Sequence, residues 1–455
     1  MLRSAAIRPV TSRLPLALVL LGLSALFWAL EQSTYSLGFG LHYLLAGLGV
    51  AWYLRLLLRD NAAATMTSFY QIFYGVGMLA SAALISNGAV MIEINATGTA
   101  NGVFWIMLIF FVIGMEATVL GYGYGHLVRL PARALRLPAG FDLAIMIFII
   151  LPVLAMAIYV FLLTGGPVLR GVDRVTFWRS IAPAETKMLP TLMRQFFFFV
   201  AFFYLWRARA QGSMVMMRIG LIGYLLAGLF VLGEKFSLFV VLLNIWLIVQ
   251  IGVVPEFRFK PRHFVGFAVV MALILLVVAI TYIADEKNIG FILVRVALQA
   301  QLLWSVAESA LDGVSQPWRP ECIFGCDFYS NGRDYISYRY LASGIYNFYR
   351  EGGSTLSGFM PALPIFTLGP VLAMMLHVFV GIVLGVLQRK TTTAVRKRQS
   401  IYSFLIFKMQ FSITVIWFAA IETAIPGLLL VVAAIIIYRL AGILQTGRSA
   451  NYAHT

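Results

Sequence analysis

Long apolar stretches constrain this chain more than any other feature. A helix needs about 20 mostly apolar residues to cross the hydrocarbon core of a membrane. The chain contains twelve such stretches, near residues 14–30, 37–58, 64–86, 102–122, 141–163, 189–206, 214–232, 236–253, 264–283, 361–387, 401–420 and 427–444. Only 11% of the residues are charged, which excludes an ordinary soluble domain, where about a quarter are. The sequence therefore predicts an all-α polytopic membrane protein with about twelve transmembrane helices.

The first stretch also has the layout of a signal peptide, because three arginines precede its apolar core. It ends in Phe27-Trp28-Ala29-Leu30-Glu31, which lacks the small-x-small pattern that a signal peptidase requires. We therefore predict that it is retained as a membrane span.

The basic residues predict the orientation of these spans. If the N-terminus is cytoplasmic, 21 of the 34 Lys and Arg residues fall on the inner side, 12 on the outer side and one within a span. Of the 18 acidic residues, 14 fall on the outer side. By the positive-inside rule, both termini are predicted to be cytoplasmic. The net charge of +16 thus reflects topology, and a chain with so few charges is not expected to bind nucleic acid.

Two connections are long, and both are predicted to lie outside, at 164–188 and 284–360. They divide the chain into residues 1–283 with nine spans, a large periplasmic loop at 284–360, and residues 361–455 with three spans and a cytoplasmic C-terminus. Loops of this length are usually functional or disordered. Their composition favours order, because residues 288–314 have a helical pattern and 335–350 are rich in Tyr and Phe.

The first long loop carries Arg170, Arg174 and Arg179, although basic residues are disfavoured on the outer side. A guanidinium group stays charged and offers a fork of donors that suits phosphate oxygens. A lipid diphosphate at the outer membrane surface is therefore one predicted ligand. Alternatively, these arginines reach ordinary lipid headgroups or pair with Asp173 and Glu185.

The second long loop contains a polar stripe at helical spacing. It consists of Gln301, Ser305, Glu308 and Asp312, with Arg295 and Gln299 beside it. Such a helix is expected to lie on the membrane surface or to roof a cavity, with its polar side towards water. A carboxylate on the stripe could accept a proton from a sugar hydroxyl. The alternative is a solvated face with no chemical role.

Aromatic and charged residues alternate farther along the same loop. The candidate binding residues of this segment are Tyr338, Arg339, Arg350 and Glu351. Aromatic rings stack on the faces of sugars, and charged groups bind sugar hydroxyls, so a glycan is one predicted ligand. An aromatic belt at the membrane interface is the other interpretation.

Cys322 and Cys326 lie close together in this loop. An oxidising periplasm favours a local disulfide between them. A zinc site would need two more ligands, and none of the five histidines is near, so no metal or cofactor is predicted. The chain also lacks a Walker loop, a His-Glu-x-x-His motif and an Asp-x-Asp motif, which argues against an ATP-driven pump and a zinc protease.

Three places resemble the bacterial O-antigen polymerases, the Wzy-type oligosaccharide repeat unit polymerases, and more loosely the O-antigen ligases. The loop from Pro167 to Arg179 is similar to the family's Arg-rich periplasmic loop. The turn Gly233-Glu234-Lys235 resembles a Gly-x-Arg turn of the family, with Lys in place of Arg. The segment from Gly358-Phe359-Met360-Pro361 to Gly369-Pro370 resembles landmarks after the family's large loop. The layout of spans and loops, which is GT-C-like, matches over most of the chain.

The resemblance implies a metal-independent, inverting glycosyltransferase at the periplasmic face. Such an enzyme moves the growing glycan from undecaprenyl diphosphate to an incoming lipid-linked repeat unit of O-antigen, capsule or exopolysaccharide. A chain-length regulator and a flippase would be its partners beside the membrane lipids. The residues predicted to bind the diphosphate are Arg170, Arg174, Arg295 and Arg339, followed by Lys235 and Arg179. Glu308 is the preferred general base, ahead of Asp312 and Glu351.

Other classes are also compatible with the sequence. A ligase would use the same donor with a lipid A core acceptor. A transporter or flippase of lipid-linked oligosaccharides should hold charges deep in its helical bundle. Few ionisable residues lie in the spans, namely Glu116, Lys408, His42 and His377, and the histidines are expected to be hydrogen-bonded packing residues. A membrane acyltransferase would rely on an embedded His in a polar setting.

Overall fold

A computed structural model of the protein consists almost entirely of helices. It describes residues 14–32, 40–127, 146–172, 174–211, 215–233, 237–254, 299–311, 332–351, 362–418 and 427–437, with the single residues 144, 265, 269, 272 and 425. The helices are α1 (Leu14–Gln32), α2 (Leu41–Thr67), α3 (Phe69–Ser86), α4 (Val103–Tyr124), α5 (Leu151–Thr164), α6 (Gly166–Leu169), α7 (Arg174–Thr176), α8 (Leu189–Gln211), α9 (Val215–Phe230), α10 (Ser237–Val253), α11 (Gln301–Leu311), α12 (Gly332–Tyr340), α13 (Ser343–Glu351), α14 (Ala362–Leu368), α15 (Pro370–Arg396), α16 (Ser400–Phe418) and α17 (Gly427–Ile437).

Short non-α segments join some of these helices. The π-helical segments are Met146–Ile150 and Phe177–Ile181, and the 3₁₀ segments are Gly125–Leu127 and Ala184–Thr186. Strands β1 (Val90–Met91) and β2 (Ala96–Thr97) form a small antiparallel hairpin between α3 and α4.

Seven helical stretches of the described chain are long and apolar enough to cross a membrane. They are Leu14–Glu31, Leu41–Thr67, Phe69–Ser86, Val103–Leu127, Ile147–Leu169, Ala184–Leu205 and Pro370–Arg396. Large apolar side chains such as Leu44, Leu162 and Phe379 are more than half exposed, as lipid-facing residues are. The prediction of a helical, membrane-embedded protein is confirmed, whereas the count of twelve spans and their orientation stay predictions.

One detail differs from the predicted elements. The tenth span was expected to start at residue 361, but α14 ends at Leu368 and α15 begins at Pro370, because Gly369 adopts a left-handed conformation. Of the helix predicted over residues 288–314, the described part is a turn at residues 299 and 300 followed by α11 from Gln301 to Leu311, and the remainder lies outside the described residues.

The chain folds as two compact units. The first comprises residues 1–129, 290–390 and 409–433, and the second comprises residues 130–289, 391–408 and 434–455. In the first unit, α4 packs against α1, α3 and α11. In the second unit, α8 packs against α9 and α10.

Close helix packing in the first unit depends on glycines of α4 and α15. A side chain at Gly121 would collide with the carbonyl oxygen of Ile382, and a side chain at Gly385 would collide with that of Thr118. Helices in lipid associate largely through van der Waals contact, which small residues allow. The two backbones therefore touch because both positions lack a Cβ atom.

A buried polar network adds to this packing. Gln388 donates to the side-chain oxygen of Gln71 at 3.1 Å and accepts from the hydroxyl of Ser68 at 3.1 Å. Gln71 in turn donates to the hydroxyl of Thr118 at 3.3 Å. The network satisfies polar groups that lipid could not, and it ties α3 and α4 to α15.

Aromatic rings fill the core of the second unit. Phe404 of α16 packs against Phe199, Phe202 and Phe203 of α8. Lys408 lies in the same interface, with its Nζ 4.3 Å from the centre of the Phe198 ring.

Candidate functional site

The Arg-rich loop of the second unit starts with a sharp turn. Gly165 and Gly166 both have positive φ angles, of 73° and 72°, so the chain leaves α5 in a direction that a residue with a side chain rarely allows. Helix α6 follows at once, and the Nε of Arg170 donates to the carbonyl oxygen of Thr164. This hydrogen bond holds the arginine over the end of α5.

The loop folds onto the end of α9. A Cβ atom at Gly166 would lie 2.5 Å from the carbonyl oxygen of Phe230, and one at Gly233 would lie 3.1 Å from the Cβ of Arg174. Gly233 belongs to the turn that resembles the Gly-x-Arg turn of the polymerases, and it lies against Arg174. Lys235 itself lies outside the described residues.

All three arginines of this loop are exposed. Arg170, Arg174 and Arg179 present side chains to the surroundings, whereas Phe177 between them is fully buried and anchors the segment. Glu185, one of the expected partners, accepts a hydrogen bond from the hydroxyl of Tyr159 at 3.0 Å. The loop is thus an ordered, cation-rich surface suited to an anionic ligand.

Helix α11 of the first unit does not turn its polar stripe towards water. Gln301 is 1% exposed and Ser305 is 5% exposed, so the expectation of a wet polar face is wrong at these positions. Residues 301–311 are helical as predicted, but Gln301 of the polar face meets the carboxylate of Glu93. Next to the stripe, the backbone N–H of Ala300 donates to Ser81, and the indole of Trp304 donates to Ser86.

Glu308 lies at the half-buried end of this stripe. The side-chain amide of Asn101 donates to its Oε1 at 2.8 Å. One end of α11 carries a second pair, in which Gln301 donates to the carboxylate of Glu93. Sequence reasoning missed Asn101 and Glu93, because neither lies near Glu308 in the chain and neither belongs to a motif.

The phenol of Tyr340 is close enough to Glu308 for the two groups to interact electrostatically. Burial raises the pKa of its hydroxyl above the usual range, and the charge of Glu308 raises that pKa further. The Ser309 hydroxyl and the charge of Arg339 act in the opposite direction. The phenol of Tyr340 is therefore neutral near pH 7.

The aromatic residues of α12 and α13 divide into two groups. Tyr335 and Tyr340 pack against Phe366, and Tyr346 contacts Tyr338 and donates to Asp334 at 3.1 Å. Tyr338 nevertheless stays 49% exposed, and Arg339 and Arg350 are exposed as well. Most of the aromatic pattern is therefore packing, while Tyr338 and the two arginines remain accessible to a ligand.

A buried carboxylate organises the predicted outer end of the first unit. Glu31 of α1 accepts hydrogen bonds from the hydroxyl of Tyr43 at 2.8 Å, the indole of Trp105 at 3.0 Å and the backbone N–H of Gly102 at 2.8 Å. The Nε2 of His42 lies 3.0 Å from the same carboxylate. We call these five residues the Glu31 cluster, and it joins α1, α2 and α4.

The two histidines in the spans are hydrogen-bonded packing residues, as expected. His42 belongs to the Glu31 cluster and lies against the ring of Tyr43. The Nε2 of His377 lies 3.0 Å from the carbonyl oxygen of Phe110. Each imidazole thus has a partner within the protein.

The predicted site residues are distributed over both units. Arg170, Arg174 and Arg179 belong to the second unit, and Glu308, Tyr338, Arg339 and Arg350 belong to the first. Glu351 is the last residue of α13. Arg295, Asp312, Cys322 and Cys326 lie outside the described residues, as does Lys235.

Comparisons with known proteins add no family to this description. No protein-family model, no curated protein and no solved structure matches the chain. Within the part of the chain that the structure describes, no group of three or more His, Cys, Asp or Glu side chains is arranged to hold a metal ion.

Proposed function

We propose that the protein is a polymerase of lipid-linked oligosaccharide repeat units at the outer face of the bacterial inner membrane. It would transfer the growing glycan from undecaprenyl diphosphate to an incoming repeat unit, for O-antigen, capsule or exopolysaccharide. The single observation that carries this proposal is the ordered surface of three exposed arginines, with Arg174 lying against the Gly233 turn.

The charge of this surface is opposite to that of the proposed donor. Arginine binds phosphate oxygens with two parallel N–H donors, and it does so without losing its proton. Basic residues are disfavoured on the outer side of a membrane, so three arginines in one predicted outer loop favour a functional role. A diphosphate on a lipid at the same membrane surface would bind to their exposed side chains.

In the proposed reaction, the Glu308 carboxylate accepts the proton of the acceptor hydroxyl. The oxygen of that hydroxyl forms a bond to the anomeric carbon of the donor sugar from the face opposite the leaving group. The bond between the anomeric carbon and the diphosphate oxygen breaks, and its electron pair remains on the diphosphate. Guanidinium groups would stabilise that developing charge, which is where electrostatic catalysis contributes most.

The surroundings of Glu308 support its role as the general base. Its carboxylate is half-buried and hydrogen-bonded to Asn101, so it is neither sealed in the core nor freely rotating. A base must reach the proton that it removes, and a fixed orientation favours this.

A cell-based experiment tests the proposal. In a strain that lacks the chromosomal copy, plasmids would supply the wild-type protein, Arg174→Ala or Arg174→Lys, and surface polysaccharide would be resolved by gel. We expect long chains with the wild type, single repeat units with Arg174→Ala, and an intermediate length with Arg174→Lys, at equal protein abundance. The matched control is Lys187→Ala, which removes an exposed cation of the same loop and should leave the chains long.

Three outcomes would contradict the proposal. Normal chain lengths with Arg174→Ala would contradict the proposal that Arg174 binds the diphosphate. Repeat units trapped in the cytoplasmic leaflet of the deletion strain would point to a flippase. Full-length chains that stay on undecaprenyl diphosphate in the deletion strain, without transfer to lipid A core, would point to a ligase.

A further inference from the structure

Glu308 is held by a specific partner that lies far away in the sequence. The Nδ2 of Asn101 donates to Glu308 at 2.8 Å, and the Oδ1 of the same side chain accepts from the backbone N–H of Val103 at 3.3 Å. The two contacts need opposite ends of the amide, so they fix which end faces the carboxylate. The donor end faces Glu308.

The backbone next to Asn101 is itself fixed. Gly102 has a φ of 88°, and a side chain there would collide with the indole of Trp28. Its N–H donates to Glu31 at 2.8 Å, within the Glu31 cluster. Asn101 therefore directly precedes a residue that is hydrogen-bonded to Glu31, whose cluster joins three helices. The packing of the first unit thus fixes the position of Asn101.

A second amide–carboxylate pair fixes the orientation of α11 relative to the segment from β1 to α4. Gln301 donates to Glu93, so in this pair the amide belongs to α11 and the carboxylate to the segment before α4. In the pair of Asn101 and Glu308 the roles are reversed. Gln301 and Glu308 are seven residues apart, which is two helical turns or about 10 Å. The two pairs hold both ends of α11 against the segment from β1 to α4.

We propose that Asn101 is a positioning residue that orients the Glu308 carboxylate towards the acceptor hydroxyl. This inference rests on the proposed function. An N–H donor favours the charged form of a carboxylate, which is the form that a general base requires. The hydrogen bond also restricts the rotation of the Glu308 side chain, and orientation of a catalytic group contributes strongly to rate.

The two pairs allow a direct test, because each can be exchanged without a change of shape. In the first double variant, Asn101→Asp is combined with Glu308→Gln. In the second, Glu93→Gln is combined with Gln301→Glu. Both double variants keep one amide and one carboxylate in contact, but only the first moves the carboxylate away from position 308.

The experiment uses the full chain, purified and returned to liposomes. The substrate is the undecaprenyl-diphosphate-linked repeat unit extracted from the deletion strain. Turnover, KM and the pH–rate profile would be measured for the wild type, Asn101→Ala and the two double variants. Thermal unfolding of each protein would be followed in parallel.

We expect Asn101→Ala to lower kcat by about tenfold to a hundredfold, since misplacing a catalytic group by about 1 Å costs on that order. Its KM should stay within about twofold, because the hydrogen bond does not contact bound substrate. The acidic limb of its pH–rate profile should move to higher pH, because the charged carboxylate has lost a donor. The Asn101/Glu308 exchange should unfold like the wild type but be inactive, and the Glu93/Gln301 exchange should keep its activity.

Failure of the inference can be distinguished from failure of the proposed function. If the wild type polymerises and Asn101→Ala has an unchanged kcat and pH profile, Asn101 is not a positioning residue, although the polymerase proposal stands. The same holds if the Asn101/Glu308 exchange keeps its activity, or if all losses follow the unfolding temperature. If the wild type does not extend the extracted substrate, both the proposed function and this inference are wrong.

Discussion

Removal of the Glu31 carboxylate is the most informative perturbation of the fold. In the Glu31 cluster, one carboxylate oxygen contacts His42, Tyr43 and Trp105, and the other accepts from Gly102. Glu31→Ala leaves all four of these groups without their common partner. Because the cluster joins three helices, the loss should affect the whole first unit.

The size of the effect follows from the four contacts. A hydrogen bond between membrane helices contributes about 0.6–1 kcal/mol, so four of them amount to about 2.5–4 kcal/mol. Glu31→Gln keeps an oxygen for the three side chains but turns an amide N–H₂ towards the N–H of Gly102. Only one contact is then lost, and we expect a cost of about 1 kcal/mol.

Unfolding in mixed micelles, followed by tryptophan fluorescence, would measure these differences. The control is Glu185→Ala, because Glu185 is an exposed carboxylate with a phenol as its partner, and its loss should cost less than about 0.5 kcal/mol. Glu31→Ala should lower the free energy of unfolding most, Glu31→Gln less, and the control Glu185→Ala least. If Glu31→Ala is as stable as the control, or if Glu31→Gln is as damaging as Glu31→Ala, the reasoning is refuted.

Two further predictions concern helix packing and ligand binding. Gly385→Leu should destabilise the protein by at least about 1–3 kcal/mol, because a side chain there meets the backbone of α4, whereas Gly77→Leu should be tolerated because that position is open. Their abundance in membranes and their unfolding in micelles check this, and equal behaviour would contradict the close contact of α4 and α15. Inorganic pyrophosphate should inhibit glycan extension, and Arg174→Ala should weaken that inhibition about threefold to tenfold, as the loss of about 0.6–1.4 kcal/mol of binding implies. If pyrophosphate inhibits Arg174→Ala with the same inhibition constant as the wild type, Arg174 does not bind the diphosphate.

The presence of apolar membrane helices could be predicted from the sequence, because their signal is local and strong. The first predicted span, 14–30, corresponds to Leu14–Gln32. The Gly369-Pro370 pair indicates the break between α14 and α15, but the residues on both sides are apolar, so one continuous span was predicted. Hydropathy alone does not show where a continuous apolar stretch changes helix.

The polar contacts of the candidate site were harder to predict. The stripe on α11 was recognised, but its pattern does not show whether the polar face meets water or protein. Gln301 can be buried because the carboxylate of Glu93 accepts a hydrogen bond from its side-chain amide. The two residues are separated by 208 positions in the chain. Asn101 belongs to no motif, so only the folded chain shows that it contacts Glu308.

The central claim is that this protein alone joins lipid-linked repeat units. The most direct measurement supplies the purified protein in liposomes with the extracted undecaprenyl-diphosphate-linked repeat unit and separates the products by size. We predict a ladder whose steps equal one repeat unit, formed without added metal or nucleotide and absent with Glu308→Gln. Products that remain a single repeat unit with the wild-type protein would contradict the claim.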